Sequence, residues 1–285
     1  MQTVRQWLLQ ASSVLHPLVS TGPVPVDARQ EARRLLQELS GWSATQLVLR
    51  ENEPLDPALD SRLTAALQRR LQGEPLAYIL GYWYFWDFQL KVAPCTLIPR
   101  PDTETLVRQA LELTLPAQAR VLDLGTGTGA IVLALAKERP DWQLTGLDLQ
   151  PEAVALAQHN ATQLQLTNCQ FVQSNWFSAV QGQQFDLIVS NPPYIDEADP
   201  HLSQGDVAYE PRTALVAAGA GLADIQQIIQ GATQHLSPQG WLWLEHGYQQ
   251  ADAVQQLLQQ AGFRQVQSVR DYGGQWRISG GLWVA

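Results

Sequence analysis

The chain has 285 residues, of which 45% are hydrophobic and 16% charged, and its net charge is −9 at pH 7. Its length suits two domains better than one, and its composition is that of a globular protein without low-complexity tracts. The acidic balance disfavours a nucleic-acid-binding protein, because such proteins depend on Lys and Arg contacts to phosphate.

The acidic excess lies in the C-terminal part of the chain. Residues 1–80 carry eight Lys/Arg and eight Asp/Glu, whereas residues 81–285 carry ten and nineteen. No stretch approaches the ~20 consecutive apolar residues of a membrane span, and the first residues lack the apolar block of a signal peptide. The two cysteines and five histidines show no metal-ligand spacing. We therefore expect a cytoplasmic protein, without a metal or a membrane anchor, that acts on a protein or a small molecule.

The first 75 residues have the pattern of a small helical bundle. Apolar residues recur at helical spacing in one segment that Asp27 opens and Gly41 closes, and in a second that begins at Asp56-Pro57 and ends at Gly73. Asp is a favoured helix N-cap, Pro a favoured first residue and Gly a favoured residue just after a helix. The aromatic-rich residues 81–92 alternate with a period near two, which predicts a short hairpin.

From residue 120 onward, strand and helix patterns alternate. Strand patterns cover residues 121–124, 144–148, 171–172, 185–189, 241–244, 263–269 and 277–284, and helix patterns cover residues 130–138, 151–163, 222–229 and 253–260. Such alternation predicts a doubly wound, mostly parallel sheet with right-handed crossovers. The last two strands have no room for a helix between them, so we expect an antiparallel hairpin at the edge of the sheet.

The predicted fold class is therefore α/β: a Rossmann-like, seven-stranded, mostly parallel sheet preceded by a small N-terminal helical bundle. We divide the chain into an N-terminal helical domain (residues 1–78), a hairpin linker (79–94) and a C-terminal domain (95–285).

A glycine-rich loop lies where the first parallel strand passes into a helix: Asp123-Leu124-Gly125-Thr126-Gly127-Thr128-Gly129. Glycines there let the backbone approach a ligand, and the helix N-terminus offers free N–H groups. Asp148 closes the second strand, where a carboxylate typically binds the ribose hydroxyls of an adenosine cofactor. The arrangement predicts a nucleoside-cofactor site.

The loop leaves two cofactors open. Gly125, Gly127 and Ala130 also satisfy the G-x-G-x-x-G/A dinucleotide pattern, so an NAD-binding dehydrogenase is an alternative. Asp123 would repel the pyrophosphate of NAD but attract the ammonium and sulfonium of S-adenosylmethionine. The acidic loop therefore favours the methyl donor.

The segment Asn191-Pro192-Pro193-Tyr194 follows the hydrophobic run 185–190, which reads as a buried strand. Consecutive prolines end the strand and leave their carbonyls free. An amide side chain, a rigid carbonyl and an aromatic ring can together grip a planar –NH2 group. The alternative interpretation is a simple strand end with a Pro-Pro turn.

Two further segments lie beyond this one. Five carboxylates occur before Arg212 without an intervening Lys or Arg, and we expect a solvated acidic loop or a surface for a basic partner; they are Asp196, Glu197, Asp199, Asp206 and Glu210. Glu245-His246-Gly247 ends the next strand at the same edge of the sheet, where ligands of open α/β folds bind. We expect His246 to be structural.

Together, the glycine loop, Asp148 and residues 191–194 resemble the motifs of class I S-adenosylmethionine-dependent methyltransferases that modify a planar amide or amino nitrogen. Three more segments narrow the resemblance to the release factor glutamine methyltransferases, the PrmC or HemK family, over almost the full chain. They are Gly73-Glu74-Pro75-Leu76-Ala77-Tyr78, Leu97-Ile98-Pro99-Arg100-Pro101-Asp102-Thr103-Glu104 and Tyr209-Glu210-Pro211-Arg212-Thr213-Ala214-Leu215.

The resemblance implies a set of cofactor contacts. Gly125, Thr126, Gly127, Thr128 and Gly129 would hold the methionine part of the donor, with Asp123 and Asn191 beside them. Asp148 would hold the ribose, and Trp176 would flank the adenine. Asn175 stands where relatives commonly have Asp, and its oxygen can still accept a hydrogen bond from the adenine amino group.

The implied reaction is N5-methylation of the glutamine in the Gly-Gly-Gln motif of class I peptide-chain release factors, with S-adenosylhomocysteine as the product. Asn191 and Pro192 would accept the two amide N–H groups, while Pro193 and Tyr194 would complete the substrate site and Tyr194 would pack on the amide plane. Arg100, Asp102 and Glu104 lie on a proline-stiffened loop that resembles the family's substrate-contacting segment, and the helical domain would dock the substrate. No general base is evident.

Two rival functions remain at this point. An adenine or guanine amino-methyltransferase uses the same tetrapeptide chemistry, but it would flip out a base and normally needs a basic groove. A non-catalytic module that merely keeps a donor pocket would show no methyl transfer from labelled donor.

Overall fold

A computed structural model describes residues 2–19 and 27–284 of the chain. They belong to two compact units. The first unit comprises Met1–Gly81 together with Pro200–Tyr209, and the second comprises Tyr82–Asp199 together with Glu210–Ala285. The excursion of residues 200–209 into the first unit has no signal in the local sequence.

The first unit is the predicted helical bundle. Its helices are α1 (Val4–Val19), α2 (Ala28–Ser40), α3 (Ala44–Leu49), α4 (Pro57–Leu71) and α5 (Leu76–Leu80). Asp27 caps α2 by accepting a hydrogen bond from the Arg29 backbone N–H, and Gly41 ends this helix with φ +73°. Asp56 caps α4, and Pro57 is its first residue. The predicted starts of α2 and α4 are thus confirmed, and α2 also ends at its predicted glycine, whereas α4 ends at Leu71, before Gly73. Helices α3 and α5 are too short to produce a periodic pattern.

A buried ion cluster ties residues 200–209 to this bundle. The guanidinium of Arg70 is buried and pairs with Glu31 and, at 3.0 Å, with Asp206. The Tyr209 hydroxyl donates to the Gln72 carbonyl. The prediction of a simply solvated acidic loop is therefore wrong for Asp206, because its partner lies far away in the sequence.

The second unit contains a hairpin and a seven-stranded sheet. The strands are β1 (Tyr82–Phe85), β2 (Phe88–Lys91), β3 (Arg120–Leu124), β4 (Gln143–Asp148), β5 (Cys169–Gln173), β6 (Phe185–Ser190), β7 (Leu236–Glu245), β8 (Arg264–Arg270) and β9 (Trp276–Leu282). The helices are α6 (Glu104–Glu112), α7 (Ala130–Glu138), α8 (Pro151–Gln163), α9 (Ala218–Gly221), α10 (Ala223–His235) and α11 (Ala251–Gln260).

The sheet confirms the predicted fold class. Its strand order is β5-β4-β3-β6-β7-β9-β8, with β3 to β7 parallel and β9 antiparallel to both of its neighbours. Successive side chains of β3 and β6 point to opposite faces, and both sets are buried. Helices α6 to α8 cover one face and α10 and α11 the other, so the central strands read as continuous hydrophobic runs.

The predicted hairpin is also present. Strands β1 and β2 pair antiparallel with Phe85 opposite Phe88, which leaves Trp86 and Asp87 as a two-residue turn. Trp86 adopts φ +57°, as tight hairpin turns require.

The proline-rich segment around residue 100 differs from its prediction. Pro101–Thr103 forms a 3₁₀ turn and Glu104 is the first residue of α6, so Asp102 and Glu104 lie in helical structure and not in an extended loop. Helix α6 forms because Leu106, Val107 and Ala110 recur at helical spacing and are buried.

Candidate functional site

The cavity of the second unit lies at the carboxyl edge of the parallel strands. Strands β3, β4, β6 and β7 end there at Leu124, Asp148, Ser190 and Glu245. Ligands of open α/β sheets bind at this edge, because the connecting loops diverge there. The cavity has a volume of about 440 Å³, which is within the usual range of small-molecule sites.

Most of the residues predicted for the site line this one cavity. They are Arg100, Gly125, Thr126, Gly127, Thr128, Asp148, Asn175, Trp176, Asn191 and Pro193. The predicted residues that do not line it are Asp102, Glu104, Asp123, Gly129, Pro192 and Tyr194. The structure therefore brings most of the predicted residues together around one cavity, and the other six lie outside its lining.

The glycine loop forms an open floor for a ligand. Gly125 and Gly127 have φ +71° and +55°, and a Cβ added to either would meet no atom closer than 3.9 Å. Asp148 stabilises this loop directly, because its Oδ2 accepts a hydrogen bond of 2.9 Å from the Gly127 N–H. Its Oδ1 accepts one of the same length from Gln150. Burial raises the pKa of Asp148.

Gly129 is required for a different reason, and we predict the cost of replacing it. It precedes α7 with φ +83°, and an added Cβ would lie 3.2–3.3 Å from Ala157, Leu133 and Phe171. Gly129→Ala should therefore lower the free energy of unfolding by about 2 kcal/mol, through backbone strain and crowding. Gly182, with φ +74° and open space around it, is the matched control. Gly182→Ala should cost only about 1 kcal/mol in chemical denaturation, and equal losses would contradict the crowding argument.

Asp123 is a buried carboxylate without a hydrogen-bond partner. It is 1% exposed, and among the residues that the structure describes neither of its oxygens, nor the hydroxyl of Thr126, has a partner. Burial, with a smaller contribution from Asp148, raises the pKa of Asp123 to about 7, although the Thr126 hydroxyl favours its ionised form. Such a group favours a cationic ligand, because a positive charge would offset the desolvation of its ionised form.

The amide of Asn191 is oriented by its neighbour. Its Nδ2 donates to the Thr103 hydroxyl oxygen at 3.1 Å. Within the described part of the chain, neither the Asn191 Oδ1 nor the Pro192 carbonyl accepts a hydrogen bond. Two adjacent acceptors are therefore available at the end of β6.

A buried carboxylate lies behind residues 191–194. Glu245 is 1% exposed, and its Oε1 accepts a hydrogen bond of 3.2 Å from the Tyr194 hydroxyl. Burial raises the pKa of Glu245 to about 7, although the Thr103 hydroxyl, the Arg277 guanidinium and Tyr194 favour its ionised form. Burial also raises the pKa of Tyr194.

The three predicted substrate residues near position 100 have separate environments. Arg100 pairs with Glu210 at 2.5 Å, and Glu210 also accepts a hydrogen bond from the Ile98 N–H. Asp102 pairs with Arg277 at 3.3 Å. Glu104 accepts hydrogen bonds from the Trp86 N–H and from Arg108. The prediction of a solvated acidic loop is wrong for Glu210 as well, since its side chain is fully buried.

His246 is structural in its contacts, as expected. It is fully buried, its Nε2 lies 2.7 Å from the Ser279 hydroxyl, and its Nδ1 lies 2.8 Å from the Gly247 carbonyl. Sequence reasoning missed Thr103 and Glu245 as parts of the site. The position of Glu245 at a strand end next to β6 was the available signal.

The residues present fit S-adenosylmethionine better than a dinucleotide. Unpartnered Asp123 and the partly buried Asp148 make the loop end of the cavity acidic, which suits a ligand with an ammonium and a sulfonium and opposes a pyrophosphate. In residues 2–19 and 27–284, no group of three or more His, Cys, Asp or Glu side chains is arranged to hold a metal ion. None of the helices described is long and apolar enough to cross a membrane.

Two family models match the chain. One, described as a methyltransferase domain, matches residues 116–276, and the other, described as the PrmC N-terminal domain, matches residues 6–81. The methyltransferase match includes the glycine loop, Asp148 and residues 191–194, and thus most of the cavity.

The chain is also similar to curated proteins over nearly its full length. The release factor glutamine methyltransferase of Salmonella typhimurium is 53% identical over 253 residues, which are 89% of this chain and 91% of that protein. The protein of the same name from Escherichia coli strain K12 is 49% identical over 275 residues, 96% and 97% of the two chains. A methyltransferase from Pyrococcus furiosus has the same fold, with a TM-score of 0.52 at 16% identity over 81% of this chain and 100% of its own.

Proposed function

We propose that this chain, which belongs to the release factor glutamine methyltransferase family, methylates the glutamine in the Gly-Gly-Gln motif of class I release factors. The methyl group would be added to the N5 nitrogen of that glutamine. S-adenosylmethionine would be the donor and S-adenosylhomocysteine the product, without a metal ion. The observation that carries the proposal is the pair of free acceptors, the Asn191 Oδ1 and the Pro192 carbonyl, beside the donor cavity.

These two acceptors address the main difficulty of the reaction. An amide nitrogen is a poor nucleophile, because its lone pair is delocalised into the carbonyl. Two acceptors fix both N–H bonds in direction, so the nitrogen is held in a reactive orientation and its developing positive charge is stabilised. Tyr194, whose hydroxyl is anchored on Glu245, would restrict the amide plane.

The cavity lining supports the proposed cofactor contacts. Gly125 to Gly129 with Asp123 would hold the cationic methionine part, Asp148 the ribose, and Asn175 and Trp176 the adenine. When bound, S-adenosylmethionine supplies a methyl group activated by a sulfonium. The chain contributes no obvious general base, and loss of the proton after transfer to the nitrogen does not require one.

The substrate would be recognised by both units. We propose that the helical unit, which residues 6–81 of the PrmC N-terminal match largely span, docks the release factor. Arg100, Asp102 and Glu104 would act at the rim of the cavity, with Arg100 nearest to the reacting amide because it alone of the three lines the cavity. We also propose that the reaction takes place in the cytoplasm, with the release factor as the substrate and with neither a nucleic acid nor a membrane as a partner.

The test offers the purified protein a class I release factor, duplex DNA and structured RNA in separate reactions with labelled donor. The expected result is label on the release factor alone, and mass spectrometry should place one added methyl group on the glutamine of its Gly-Gly-Gln motif. A release factor with that glutamine replaced by asparagine is the matched control and should remain unlabelled. Label on nucleic acid alone would support the base amino-methyltransferase instead, and donor binding without transfer would support a non-catalytic module.

A further inference from the structure

Asn191 and Glu245 occupy neighbouring strand ends. In the parallel pair β6 and β7, Ser190 lies opposite Leu244, so Asn191, which follows β6, lies next to Glu245, the last residue of β7. Thr103 reaches the same point from the turn before α6, and its hydroxyl oxygen accepts the Nδ2 proton of Asn191.

We propose that Glu245 is a positioning residue that acts through Thr103 to set which end of the Asn191 amide faces the cavity. This inference rests on the proposed function, since it explains how the acceptor of that reaction is presented. The Glu245 side chain is excluded from solvent, so it acts on the substrate only through the groups that touch it.

The argument rests on the two roles of a hydroxyl group. The hydroxyl of threonine donates one proton and accepts from other groups, so it can meet either end of an amide. The Thr103 hydroxyl favours the ionised form of Glu245, whose buried Oε2 has no hydrogen-bond partner among the residues described, and an ionised carboxylate can only accept. In the proposed arrangement the Thr103 hydroxyl donates its proton to this oxygen. Once the Thr103 proton points at Glu245, the Thr103 oxygen must accept, and it can accept only from the Nδ2 of Asn191. The Oδ1 is then left for the substrate.

The same carboxylate anchors the other side chain of the tetrapeptide. Its Oε1 accepts the Tyr194 hydroxyl proton, while its Oε2 has no hydrogen-bond partner among the residues described. The second oxygen is therefore available for the Thr103 proton. Glu245 thus holds Tyr194 directly and Asn191 through the Thr103 hydroxyl.

Protonation of Glu245 should release this constraint. The charged and titratable groups that face it are Tyr194 after β6, Arg277 on β9, and Asp102 on the turn before α6. Arg277 favours the ionised carboxylate, Asp102 opposes it, and burial raises the pKa of Glu245 to about 7. Below that pH, a neutral Glu245 no longer needs the Thr103 proton, which can turn to the Asn191 Oδ1 and occupy the acceptor.

Three variants test the proposal by kinetics, and two of them, Glu245→Gln and Thr103→Val, are isosteric with the wild type. In Glu245→Gln, the glutamine amide can donate to the Thr103 oxygen, so the Thr103 proton can turn to the Asn191 Oδ1. In Thr103→Val, the hydroxyl that links Asn191 to Glu245 is missing. Each should lower kcat at least about 10-fold, with the donor dissociation constant unchanged within twofold. The double variant should lose no more than the worse single variant, because both act on one amide. Thr103→Ser, which restores the hydroxyl, should recover kcat to within about threefold.

The matched control lies two residues away. The Thr105 hydroxyl is also buried, but it has no hydrogen-bond partner among the residues described. Thr105→Val makes the same chemical change, the loss of a buried threonine hydroxyl, close to position 103. It should leave kcat within about twofold of the wild type. If Thr103→Val behaves like Thr105→Val, or if the effects of Thr103→Val and Glu245→Gln simply add, the proposal is overturned.

A second measurement needs no substrate and so separates this proposal from the proposed function. The side-chain amide resonances of Asn191, assigned by comparison with Asn191→Ala, should titrate with a midpoint near pH 7 in the protein labelled at asparagine nitrogen. The titration should disappear in Glu245→Gln and in Thr103→Val. Persistence of the same midpoint in both variants would overturn the role of Glu245, whereas an inactive wild-type protein with the expected titration would overturn only the methylation reaction.

Discussion

Asn191→Ala is expected to lower kcat for methylation of the release factor about 10²–10³-fold while the donor dissociation constant changes by no more than about threefold. The substitution removes the Oδ1 acceptor that the structure leaves free beside the cavity. It also removes the restraint on one N–H of the substrate, so both the charge stabilisation and the orientation of the amide are lost. Single-turnover rates with saturating donor, together with calorimetric titration of donor, measure the two quantities separately.

The control for this variant is another asparagine of the same cavity. Asn175 lines the wall together with Trp176, and its proposed role is at the adenine. Asn175→Ala should therefore weaken donor binding about 3–10-fold, the effect of losing one neutral hydrogen bond, and leave kcat at saturating donor nearly normal. Near-normal turnover of Asn191→Ala, or an equal loss of kcat in both variants, would disprove the assignment of Asn191.

Sequence patterns predicted the parts of the fold that depend on neighbouring residues. The helix Ala130–Glu138 was predicted with its observed ends, since a glycine loop precedes it and its apolar residues recur regularly. The same is true of Pro151–Gln163, which opens with a proline. The mostly parallel, doubly wound arrangement followed from the alternation of strand and helix, because crossover connections permit few topologies.

Tertiary contacts decided what the patterns missed. The prolines near residue 100 favoured a loop, but burial of Leu106 and Val107 against the sheet stabilises α6 immediately after them. Asp206 and Glu210 belong to a run of acidic residues that reads as solvated, yet each pairs with an arginine that a local reading does not connect to it. Such pairing satisfies a buried charge only when the fold has already brought the partners together.

The same distinction between local sequence patterns and tertiary contacts applies to the candidate site. The glycine loop and residues 191–194 are contiguous motifs, so their chemistry could be read from the sequence. Thr103 is 88 residues from Asn191, and Glu245 is 51 residues from Tyr194. Only the parallel register of β6 and β7 brings these groups together, and no local pattern marks Thr103 as the partner of an amide.

Asp123→Asn should weaken donor binding about 10–100-fold at pH 7.5, because it removes a buried negative charge close to the cationic part of the donor. In the wild-type protein, the neutral form of Asp123 predominates below its pKa of about 7 and cannot pair with a cation. The donor affinity should therefore fall up to tenfold for each pH unit between 7 and 5.5, and this dependence should be much weaker in Asp123→Asn. Asp148, which lies nearby and has a raised pKa, is retained in both proteins and accounts for the dependence that remains.

The same variant should be more stable than the wild type when no donor is present. Because folding raises the pKa of Asp123 from 3.8 to about 7, stability contributed by the protonated group is fully present below pH 3.8 and is lost as the pH rises through 7. Asp123→Asn avoids that loss, so its free energy of unfolding should exceed that of the wild type by about 2–4 kcal/mol above pH 7. The difference should vanish near pH 4. Asp141→Asn, at an exposed position, changes the net charge equally and should alter neither quantity.

These two effects of Asp123→Asn have opposite signs, and this makes them informative together. If the carboxylate stabilised the fold, neutralising it would lower the free energy of unfolding. If it is held unpaired for a cationic ligand, neutralising it should raise the free energy of unfolding and lower the affinity for the donor. Chemical denaturation between pH 4 and 8, with and without donor, measures both. A less stable Asp123→Asn with unchanged donor affinity would show that Asp123 supports the loop, and would remove the electrostatic reason for preferring S-adenosylmethionine at this site.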